Sequence, residues 1–333
     1  MNIYVISPNL IFGGAATANM SIAQMLAKEH CVYYNDEYNK VSMDCVIYDD
    51  YPVHKTKNSC KLVEYLLSLE IDVVIWGISM NLPYYHKATK LLRQRGVTQC
   101  VLFHSLAIVK NLKGRLMEKL TSMSLKYINH LVFVSKYTDA SWSSKYRTIR
   151  IHPNHHVIYN PINIDGGIFC KQSCHRIGFV GRFSDEKHPE LFAKLSVDDV
   201  NSYIAWGDGP LLCELMKKYP KVDFRGVSSN QKEIYDSFDI LVMTSAFENC
   251  PMVILEAWKY GIPCVAPNVG GIPEMVTDKV SGRLYNGYSV ETIASCVEEI
   301  QKNYTTYSNG CMDSVQKFSF DKIYEQWGRL LAE

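Results

Sequence analysis

Short apolar runs alternate with helix-like segments through the first half of the chain. The runs are continuous and rich in β-branched residues, which is typical of parallel strands buried on both faces. They span residues 2–7, 44–48, 72–76, 99–103 and 130–134. The amphipathic segments between them predict helices at residues 15–28, 59–69, 84–95, 114–126 and 136–145. This order of strand and helix predicts an α/β fold with a doubly wound parallel sheet.

The same alternation starts again at residue 176 and predicts a second, similar domain. Its strands are predicted at residues 176–181, 202–206, 222–224, 239–243 and 262–266. Its helices are predicted at residues 187–196, 210–218, 230–236, 251–260 and 289–302. The joint is expected near residues 158–175, where Asn160-Pro161 breaks the pattern and Gly166-Gly167 follows. We therefore predict two Rossmann-like domains that face a cleft, residues 1–160 and 161–317, and an amphipathic helix at residues 318–333.

The charge of the chain is divided unequally between these two halves. The whole chain carries 35 Lys and Arg and 34 Asp and Glu, a net charge of +1. Residues 1–160 hold 18 basic and 11 acidic residues, a net of +7, so residues 161–333 carry −6. Residues 87–150 alone hold 13 basic and two acidic residues. Overall neutrality argues against a nucleic-acid-binding protein, whereas the basic segment indicates an anionic surface or partner for the first domain.

Several features favour a cytoplasmic protein. The first residues, MNIYVISP, predict a strand and not a signal peptide, and no apolar run is long enough to span a bilayer. The eleven cysteines are scattered, which suits reduced thiols. The only Cys/His cluster, Cys170-x3-Cys174-His175, lacks a second ligand pair. We therefore predict no metal site there and expect two free thiols in a loop.

Charged residues follow predicted strands of the second domain, at the edge where open parallel sheets bind ligands. Arg182 and Lys187 follow strand 176–181. Two cations in such a loop can clamp a diphosphate, and two solvated surface charges are the alternative. Glu248 precedes predicted helix 251–260, and Glu256 lies among apolar residues inside it, where a carboxylate can accept the hydroxyls of a ribose. The alternative is that Glu248 and Glu256 are ordinary acidic residues of a helix. That alternative does not explain why the carboxylate of Glu256 lies among apolar residues, which is costly in free energy.

Two glycine pairs and one histidine complete the candidates. Gly270-Gly271 would let a ligand approach the backbone, although such a pair is more often only a turn. Gly13-Gly14, between the first strand and helix, suits an anion. The full dinucleotide fingerprint is missing, which disfavours a nicotinamide-dependent oxidoreductase. His104 follows strand 99–103 directly; a single histidine is more often structural, but this position favours a function.

Ordered motifs in residues 176–287 resemble those of the retaining nucleotide-sugar glycosyltransferases of family four, which have the GT-B fold. The motifs are GFVGRFSDEKHPEL, WGDGPL, FRGV, SFDILVMTSAFENCPMVILEAWKYGIPCVA, GGIPEMV and SGRLY. Residues 132–141 and 157–169 also fall where the family has linker-proximal segments. Two positions depart from the family pattern. His188 stands where the family usually has Gly, and Pro161-Ile-Asn stands where it usually has Gly-Val-Asp.

The resemblance implies a retaining transferase that moves a sugar from a nucleotide-diphosphate donor, such as a UDP- or GDP-sugar, to a hydroxyl of a glycan or lipid-linked glycan. It implies four catalytic residues: Glu248, His104, Arg182 and Lys187. Arg182 and Lys187 would hold the diphosphate, and Glu256 the ribose. The other donor contacts that it implies are Gly13, Gly14, Gly226, Val227, Gly270 and Gly271. The last helix would pack back on the first domain.

We expect no cofactor and no catalytic metal, because no Asp-x-Asp motif is placed to hold one; Asp49-Asp50 is the nearest candidate. The short chain and basic first domain favour the synthesis of surface polysaccharide: O-antigen, capsule, lipopolysaccharide or exopolysaccharide. The basic amphipathic segment 110–126 could lie on anionic lipid at the inner face of the cytoplasmic membrane. There are two alternatives for this segment: an ordinary helix with a solvated face, and a site for an anionic acceptor.

Two other functions remain open at this stage. One is a catalytically silent sugar-nucleotide-binding subunit of a polysaccharide assembly complex, against which the retained Arg182, Lys187, Glu248 and Glu256 argue. The other is a GT-B epimerase or glycogen-type synthase, which the length of the chain disfavours.

Overall fold

The computed structural model describes residues 1–7, 13–35, 45–56, 58–107, 112–166, 174–197 and 200–333. The chain divides into two compact units. The first unit comprises Met1–Asn163 and Phe320–Glu333, and the second comprises Ile164–Ser319. The sequence places the corresponding boundaries at 160/161 and 317/318, so the two divisions differ by a few residues at each joint.

The first unit is built on a seven-stranded parallel sheet. Its strands are β1 (Asn2–Ile6), β2 (Cys31–Asn35), β3 (Ile47–Asp49), β4 (Val73–Trp76), β5 (Thr98–Phe103), β6 (His130–Phe133) and β7 (His155–Val157). They lie in the order β3-β2-β1-β4-β5-β6-β7. This order reverses between β1 and β4, as in doubly wound nucleotide-binding sheets.

Helices connect these strands, and local capping explains where several begin. They are α1 (Gly14–Leu26), α2 (Ser59–Ser68), α3 (His86–Gln94), α4 (Leu112–Ser124), α5 (Lys136–Lys145) and α6 (Arg147–Arg150). The side chain of Asn58 accepts the Cys60 amide at 3.0 Å at the start of α2, and Ser135 accepts the Thr138 amide at 3.1 Å at the start of α5. Such caps satisfy amides that have no partner inside the helix.

The second unit repeats the architecture on a six-stranded parallel sheet. Its strands are β8 (Arg176–Val180), β9 (Ser202–Trp206), β10 (Val222–Gly226), β11 (Ile240–Val242), β12 (Cys264–Pro267) and β13 (Gly282–Tyr285). The order β10-β9-β8-β11-β12-β13 reverses between β8 and β11. The two Rossmann-like parallel sheets that the sequence predicts are therefore confirmed.

The helices of the second unit are shorter on average than those of the first. They are α7 (Pro189–Ala193), α8 (Leu212–Lys218), α9 (Gln231–Asp236), α10 (Met252–Lys259), α11 (Ile272–Met275), α12 (Val290–Lys302) and α13 (Tyr304–Val315). The last helix, α14 (Phe320–Ala332), packs on the first unit instead. Its Phe320, Ile323, Trp327 and Leu330 join the apolar core beside β1 and β5.

Several predicted elements needed correction. The strand predicted at 44–48 is β3, Ile47–Asp49, and Asp44 lies outside the described residues. The helix predicted at 84–95 begins as a 3-10 turn, Ser79–Tyr85, that contains Pro83. The helix predicted at 187–196 is the five-residue α7, because His188 just before it has a left-handed backbone conformation. The sequence pattern does not predict β2, β7, β13, α6 or α13.

Candidate functional site

The second sheet offers a ligand site where its strand order reverses. The connections that leave β8 and β11 run to opposite sides of the sheet, which opens a crevice beyond the carboxyl ends of these neighbours. The loop after β8 carries Arg182 and Lys187, and the loop after β11 carries Glu248. The topology therefore brings three predicted site residues to one edge of the sheet.

Lys187 and Glu248 form an ion pair at this edge. The Lys187 ammonium donates to Glu248 Oε1, and the Ser245 hydroxyl donates to the same oxygen at 2.8 Å. The side chain of Lys187 is 28% exposed and that of Glu248 is 14% exposed. The ammonium is thus held in place by a carboxylate and remains accessible to an anion.

Two further hydrogen bonds tie the loops that carry this pair. The Thr244 hydroxyl donates to the Lys187 carbonyl at 2.6 Å, and the Ala246 amide donates to the Glu186 carbonyl at 2.8 Å. These bonds fix the backbone on both sides of the ion pair, so its position does not depend on side-chain packing alone.

The loop that carries Arg182 interlocks with the loop after β9. The Phe183 amide donates to the Asp208 carbonyl at 2.9 Å, and the Leu211 amide donates to the Phe183 carbonyl at 3.0 Å. A Cβ at Gly207 would lie 1.9 Å from the Gly181 carbonyl oxygen, so only glycine permits this approach. The WGDGPL motif therefore braces the loop, and the Arg182 side chain is left exposed.

The backbone conformation at His188 explains why the family that this sequence resembles usually has glycine at this position. Its backbone is left-handed, with φ of 43°, a conformation that glycine adopts without strain. The imidazole packs edge-on against Tyr288, with ring centroids 4.8 Å apart.

Glu256 is buried on α10 and is held by two partners. The Tyr235 hydroxyl donates to its Oε2 at 2.6 Å, and the Gln231 amide donates to its Oε1 at 3.1 Å. Burial raises the pKa of the Glu256 carboxyl. Both partners lie on α9, and the sequence analysis missed them because helical spacing says nothing about a neighbouring helix.

Gly270 and Gly271 lie against protein backbone, and their predicted contact with a ligand stays a prediction. Gly270 has φ of 62°, and a Cβ there would lie 1.9 Å from the Glu248 carbonyl oxygen. The Gly271 amide donates to that oxygen at 2.9 Å. The glycine pair therefore holds the backbone of Glu248. Helix α11, which follows, has only four residues.

Gly226 and Val227 lie at the end of β10. The Gly226 carbonyl accepts the Gly207 amide at 2.6 Å, which links this strand end to the WGDGPL loop. Val227 is 57% exposed. The two residues border open space beside the braced loops, and their predicted contact with a base stays a prediction.

The first unit has a neutral polar group at the corresponding edge. His104 Nε2 lies 2.8 Å from Oδ1 of Asn19, which is fully buried. Burial lowers the pKa of His104 to about 4, so the imidazole is neutral at pH 7 and donates from Nε2. A Cβ on Gly77 would lie 2.0 Å from Asn19 Nδ2. Asn19 and Gly77, which the sequence analysis missed, thus orient His104.

Gly13 and Gly14 lie at the start of α1. Both are exposed, and the Gly13 carbonyl accepts the Thr17 amide at 3.1 Å in the first turn. A Cβ at Gly14 would meet no atom within 4 Å. Residues 8–12, which precede the pair, lie outside the described residues.

Helix α4, within the predicted basic segment, exposes apolar side chains and buries polar ones. Leu112, Leu116, Leu120 and Met123 are exposed on one face, together with Arg115 and Lys119. Glu118 is fully buried and accepts hydrogen bonds from Lys145 and from the Tyr146 hydroxyl. An ordinary surface helix has the opposite arrangement. Lys110 and the side chain of Lys113 lie outside what the structure describes.

One of the two possible metal sites considered in the sequence, at Asp49, lies within the described residues. The Asp49 carboxylate accepts hydrogen bonds from the Tyr4 hydroxyl and, at 2.8 Å, from the Tyr65 hydroxyl, so this carboxylate already serves to join strands and helix. Cys170 lies outside the described residues, as does Gly167 of the predicted joint.

No helix within the described ranges is long and apolar enough to cross a bilayer.

Comparison with known proteins agrees with the motifs. The family "Glycosyl transferases group 1" matches residues 174–303. A GDP-mannose-dependent alpha-mannosyltransferase of Corynebacterium glutamicum is 32% identical over 127 residues, which are 37% of this chain and 31% of that protein. An uncharacterized 41.2 kDa protein in the cps region of Klebsiella pneumoniae is 29% identical over 184 residues, half of each chain. The chain thus spans half or less of the length of these curated relatives.

Solved structures match over nearly the whole chain. HepE of Anabaena in complex with UDP has a TM-score of 0.80 and 18% identity, and the match covers 99% of each chain. The lipopolysaccharide outer core galactosyltransferase WaaB has a TM-score of 0.71 and 19% identity, over 98% of each chain. At this identity the likeness establishes the fold. The chain therefore has the GT-B fold, and its residues 174–303 match the group 1 family of glycosyl transferases.

Proposed function

We propose that the protein is a retaining glycosyltransferase that takes a sugar from a UDP- or GDP-sugar. The observation that carries this proposal is the Lys187–Glu248 pair at the strand reversal of the second sheet, inside the segment that matches the family. Structures similar to this chain were solved with UDP and with UDP-glucose, which supports a nucleotide-sugar donor.

The charges at this edge suit the departure of a nucleoside diphosphate. Arg182 and Lys187 offer a fork of donors and a point charge to the diphosphate oxygens, and Glu256 on α10 would bind the ribose. As the bond between the sugar and the diphosphate breaks, these fixed cations stabilise the negative charge that develops on the leaving oxygen. Such charges also suit a reaction that needs no metal on the diphosphate, which we propose here.

Glu248 and His104 would act on the transferred sugar. Glu248 fixes Lys187 and offers its second carboxylate oxygen to a sugar hydroxyl. The neutral imidazole of His104, which donates to Asn19 from Nε2, would lie against a hydroxyl of the transferred sugar. Retention follows if the acceptor oxygen bonds to the face of the anomeric carbon that the diphosphate leaves, while the acceptor proton passes to the leaving phosphate oxygen.

The acceptor side of the reaction is proposed from the first unit and from relatives. A relative from Campylobacter jejuni, 25% identical over 169 residues, is named as an N-acetyl-D-galactosaminyltransferase that extends an undecaprenol-linked glycan. The cps-region protein and WaaB belong to surface-polysaccharide contexts by their names. We therefore propose a glycan or lipid-linked glycan acceptor in surface-polysaccharide synthesis.

The outer face of α4 would hold the enzyme on an anionic membrane, where such an acceptor resides. Its four exposed apolar side chains can enter the headgroup region, and Arg115, Lys119 and the exposed Lys126 can meet anionic lipid. A helix with an ordinary solvated face would expose few large apolar side chains, whereas α4 exposes four of them beside its basic residues.

Transfer can be tested by incubating the full chain with UDP-, GDP- and ADP-sugars and lipid-linked acceptors. We expect one donor to release its nucleoside diphosphate in step with product, and NMR of the product to show the anomeric configuration of the donor. Inverted configuration would overturn the retaining mechanism. Donor binding without turnover on any acceptor would favour the silent binding subunit. Activity that disappears in EDTA and returns only with Mn²⁺ or Mg²⁺ would overturn metal independence.

Membrane contact can be tested with vesicles of phosphatidylcholine alone or mixed with phosphatidylglycerol. Each basic residue near an anionic surface contributes about 1 kcal/mol, so an Arg115→Gln, Lys119→Gln double variant should bind the mixed vesicles about 30-fold more weakly. A Leu116→Ser, Leu120→Ser variant should also bind more weakly, whereas Val197→Ser, which changes an exposed apolar residue of the second unit, should not. Equal binding by all variants would contradict the role of α4.

A further inference from the structure

Three side chains that can bind metals meet where α14 ends beside β6 and β7. His130 begins β6, and Val132 of the same strand pairs with His156 of β7. Because residues two apart on a strand share a face, the imidazoles of His130 and His156 lie on the same face of the first sheet. This face is the one that α14 covers, and Glu333 follows the last turn of α14.

The distances between these groups suit one tetrahedral ion. His130 Nδ1 and His156 Nε2 are 3.3 Å apart, and His130 Nδ1 is 3.9 Å from Glu333 Oε2. All three ligand atoms lie within 4.8 Å of one another. Bonds of about 2.0–2.1 Å to a tetrahedral Zn²⁺ place neighbouring ligand atoms about 3.3–3.4 Å apart. The nitrogens already have this spacing, and the half-exposed Glu333 carboxylate must come about half an ångström closer to His130 to reach it.

The chemistry of the three groups also favours a cation such as Zn²⁺. Two imidazoles and a carboxylate form a ligand set that zinc uses when it keeps a fourth position open. Arg93, His152 and His155 are nearby basic groups that oppose a cation, and the Glu333 carboxylate offsets them.

We propose that His130, His156 and Glu333 form a zinc site that fastens the end of α14 to β6 and β7. The site would hold one ion with three protein ligands and a water molecule. It lies within the first unit and is independent of the transferase proposal, because none of its ligands belongs to the donor or sugar site.

The test uses the full chain, stripped with EDTA and then dialysed. Titration calorimetry with ZnCl₂ should show one ion bound per chain, and the thermal unfolding temperature should rise with the ion present. His130 is almost fully buried, so the variants change the two more accessible ligands, His156→Ala and Glu333→Gln. Each should weaken zinc binding at least about tenfold. His175→Ala, which removes an exposed histidine of the second unit, is the matched control and should bind zinc as the wild type does.

Cobalt provides a second readout that does not depend on stability. Co²⁺ bound by these ligands should give the intense visible absorption of a tetrahedral site, and this absorption should be lost in His156→Ala. The proposal is overturned if the wild type binds no stoichiometric zinc, or if His156→Ala binds it equally well; the two imidazoles would then share only an N–H···N hydrogen bond. Transfer activity of Glu333→Gln should remain at the wild-type level, so failure of one proposal leaves the other testable.

Discussion

The two sheets reverse their strand order in the same way but carry different chemistry at that point. In the second unit the edge beyond β8 and β11 holds an ion pair, Lys187 and Glu248, tied by loop hydrogen bonds. In the first unit the edge beyond β1, β4 and β5 holds a neutral pair, His104 and Asn19. Both units therefore have the topology of a ligand site at this edge. The side chains at each edge determine which chemical group of a ligand can bind there.

The difference matters because the two edges suit different parts of the proposed donor. A diphosphate needs fixed positive charge, and the loops of the second unit keep an accessible ammonium in position. A sugar is uncharged, and a neutral imidazole can bind its hydroxyls without attracting unwanted anions. Substitutions that weaken one edge at a time should therefore have separate effects.

Removing the charge of the second edge should have the largest effect. Lys187→Ala and Glu248→Gln should each lower kcat about 100- to 1000-fold, because a fixed group that stabilises the leaving charge is lost. Steady-state kinetics on the true donor measures this, with circular dichroism to show that each variant is folded. Glu190→Gln is the matched control, because it breaks exposed ion pairs of the same unit with Lys194 and Lys218. A rate near that of the wild type for either site variant would refute its assignment.

Loosening the backbone of the second edge should have the next largest effect. In Gly270→Ala the new Cβ would lie 1.9 Å from the Glu248 carbonyl oxygen, so the Glu248 loop must move. We expect the rate of transfer to fall at least about tenfold. The free energy of unfolding should fall by more than the roughly 1 kcal/mol that an alanine costs in a left-handed conformation. Gly287→Ala, with a similar φ of 77° and no atom near the new Cβ, isolates that backbone cost. Equal effects in the two variants would show that the close approach is unimportant.

The neutral state of His104 in the first unit should be measurable in the pH dependence of the free energy of unfolding. The pKa of His104 is lowered from 6.5 to about 4, so between these values the unfolded chain binds a proton that the folded chain excludes. Stability contributed by neutral His104 is present above pH 6.5 and is lost as the pH falls toward 4. At pH 5 the loss is up to about 2 kcal/mol. Urea unfolding of wild type and His104→Gln at pH 7.5 and pH 5 should show a smaller loss in the variant; parallel losses would contradict a neutral His104.

Relaxing the strained residue beside Lys187 should have the smallest effect. His188→Gly removes a left-handed conformation that costs about 1–2 kcal/mol, but glycine adds unfolded-state entropy of about 0.5–1 kcal/mol and loses the contact with Tyr288. The net change in unfolding free energy should stay within about 1 kcal/mol. His188→Ala, which loses the same contact and keeps the strain, should be less stable than His188→Gly. The reverse order would show that the Tyr288 contact, and not strain, governs this position.

Much of the fold could be predicted because buried parallel strands have a distinct apolar pattern. The strands β1, β4, β5, β6, β8, β9 and β11 lie where that pattern places them. The missed strands lie toward the sheet edges or carry polar residues: β7 is His-His-Val and β13 is Gly-Arg-Leu-Tyr. Helix α13 has a mixed sequence with Gly310 near its middle, which weakens its amphipathic pattern.

The site could be predicted only as far as local motifs reach. The motifs indicate Arg182, Lys187, Glu248 and Glu256, but not that Lys187 pairs with Glu248 or that Tyr235 holds Glu256. Those contacts join residues far apart in the chain. The motif that contains Gly270 likewise does not indicate that this glycine lies against the backbone of Glu248. Likewise, a helical pattern that alternates Lys and Leu could not reveal that α4 faces its leucines outward.

In the proposed function, the ion pair of the second unit binds a nucleoside diphosphate. Titration calorimetry of the full chain with UDP, GDP and ADP, for wild type and Lys187→Ala, tests it most directly. One nucleotide should bind the wild type at one site per chain, and the variant should bind it at least about tenfold more weakly, because a charge-assisted contact is lost. If none of the three nucleotides binds saturably, or if Lys187→Ala binds with equal affinity, the claim is wrong.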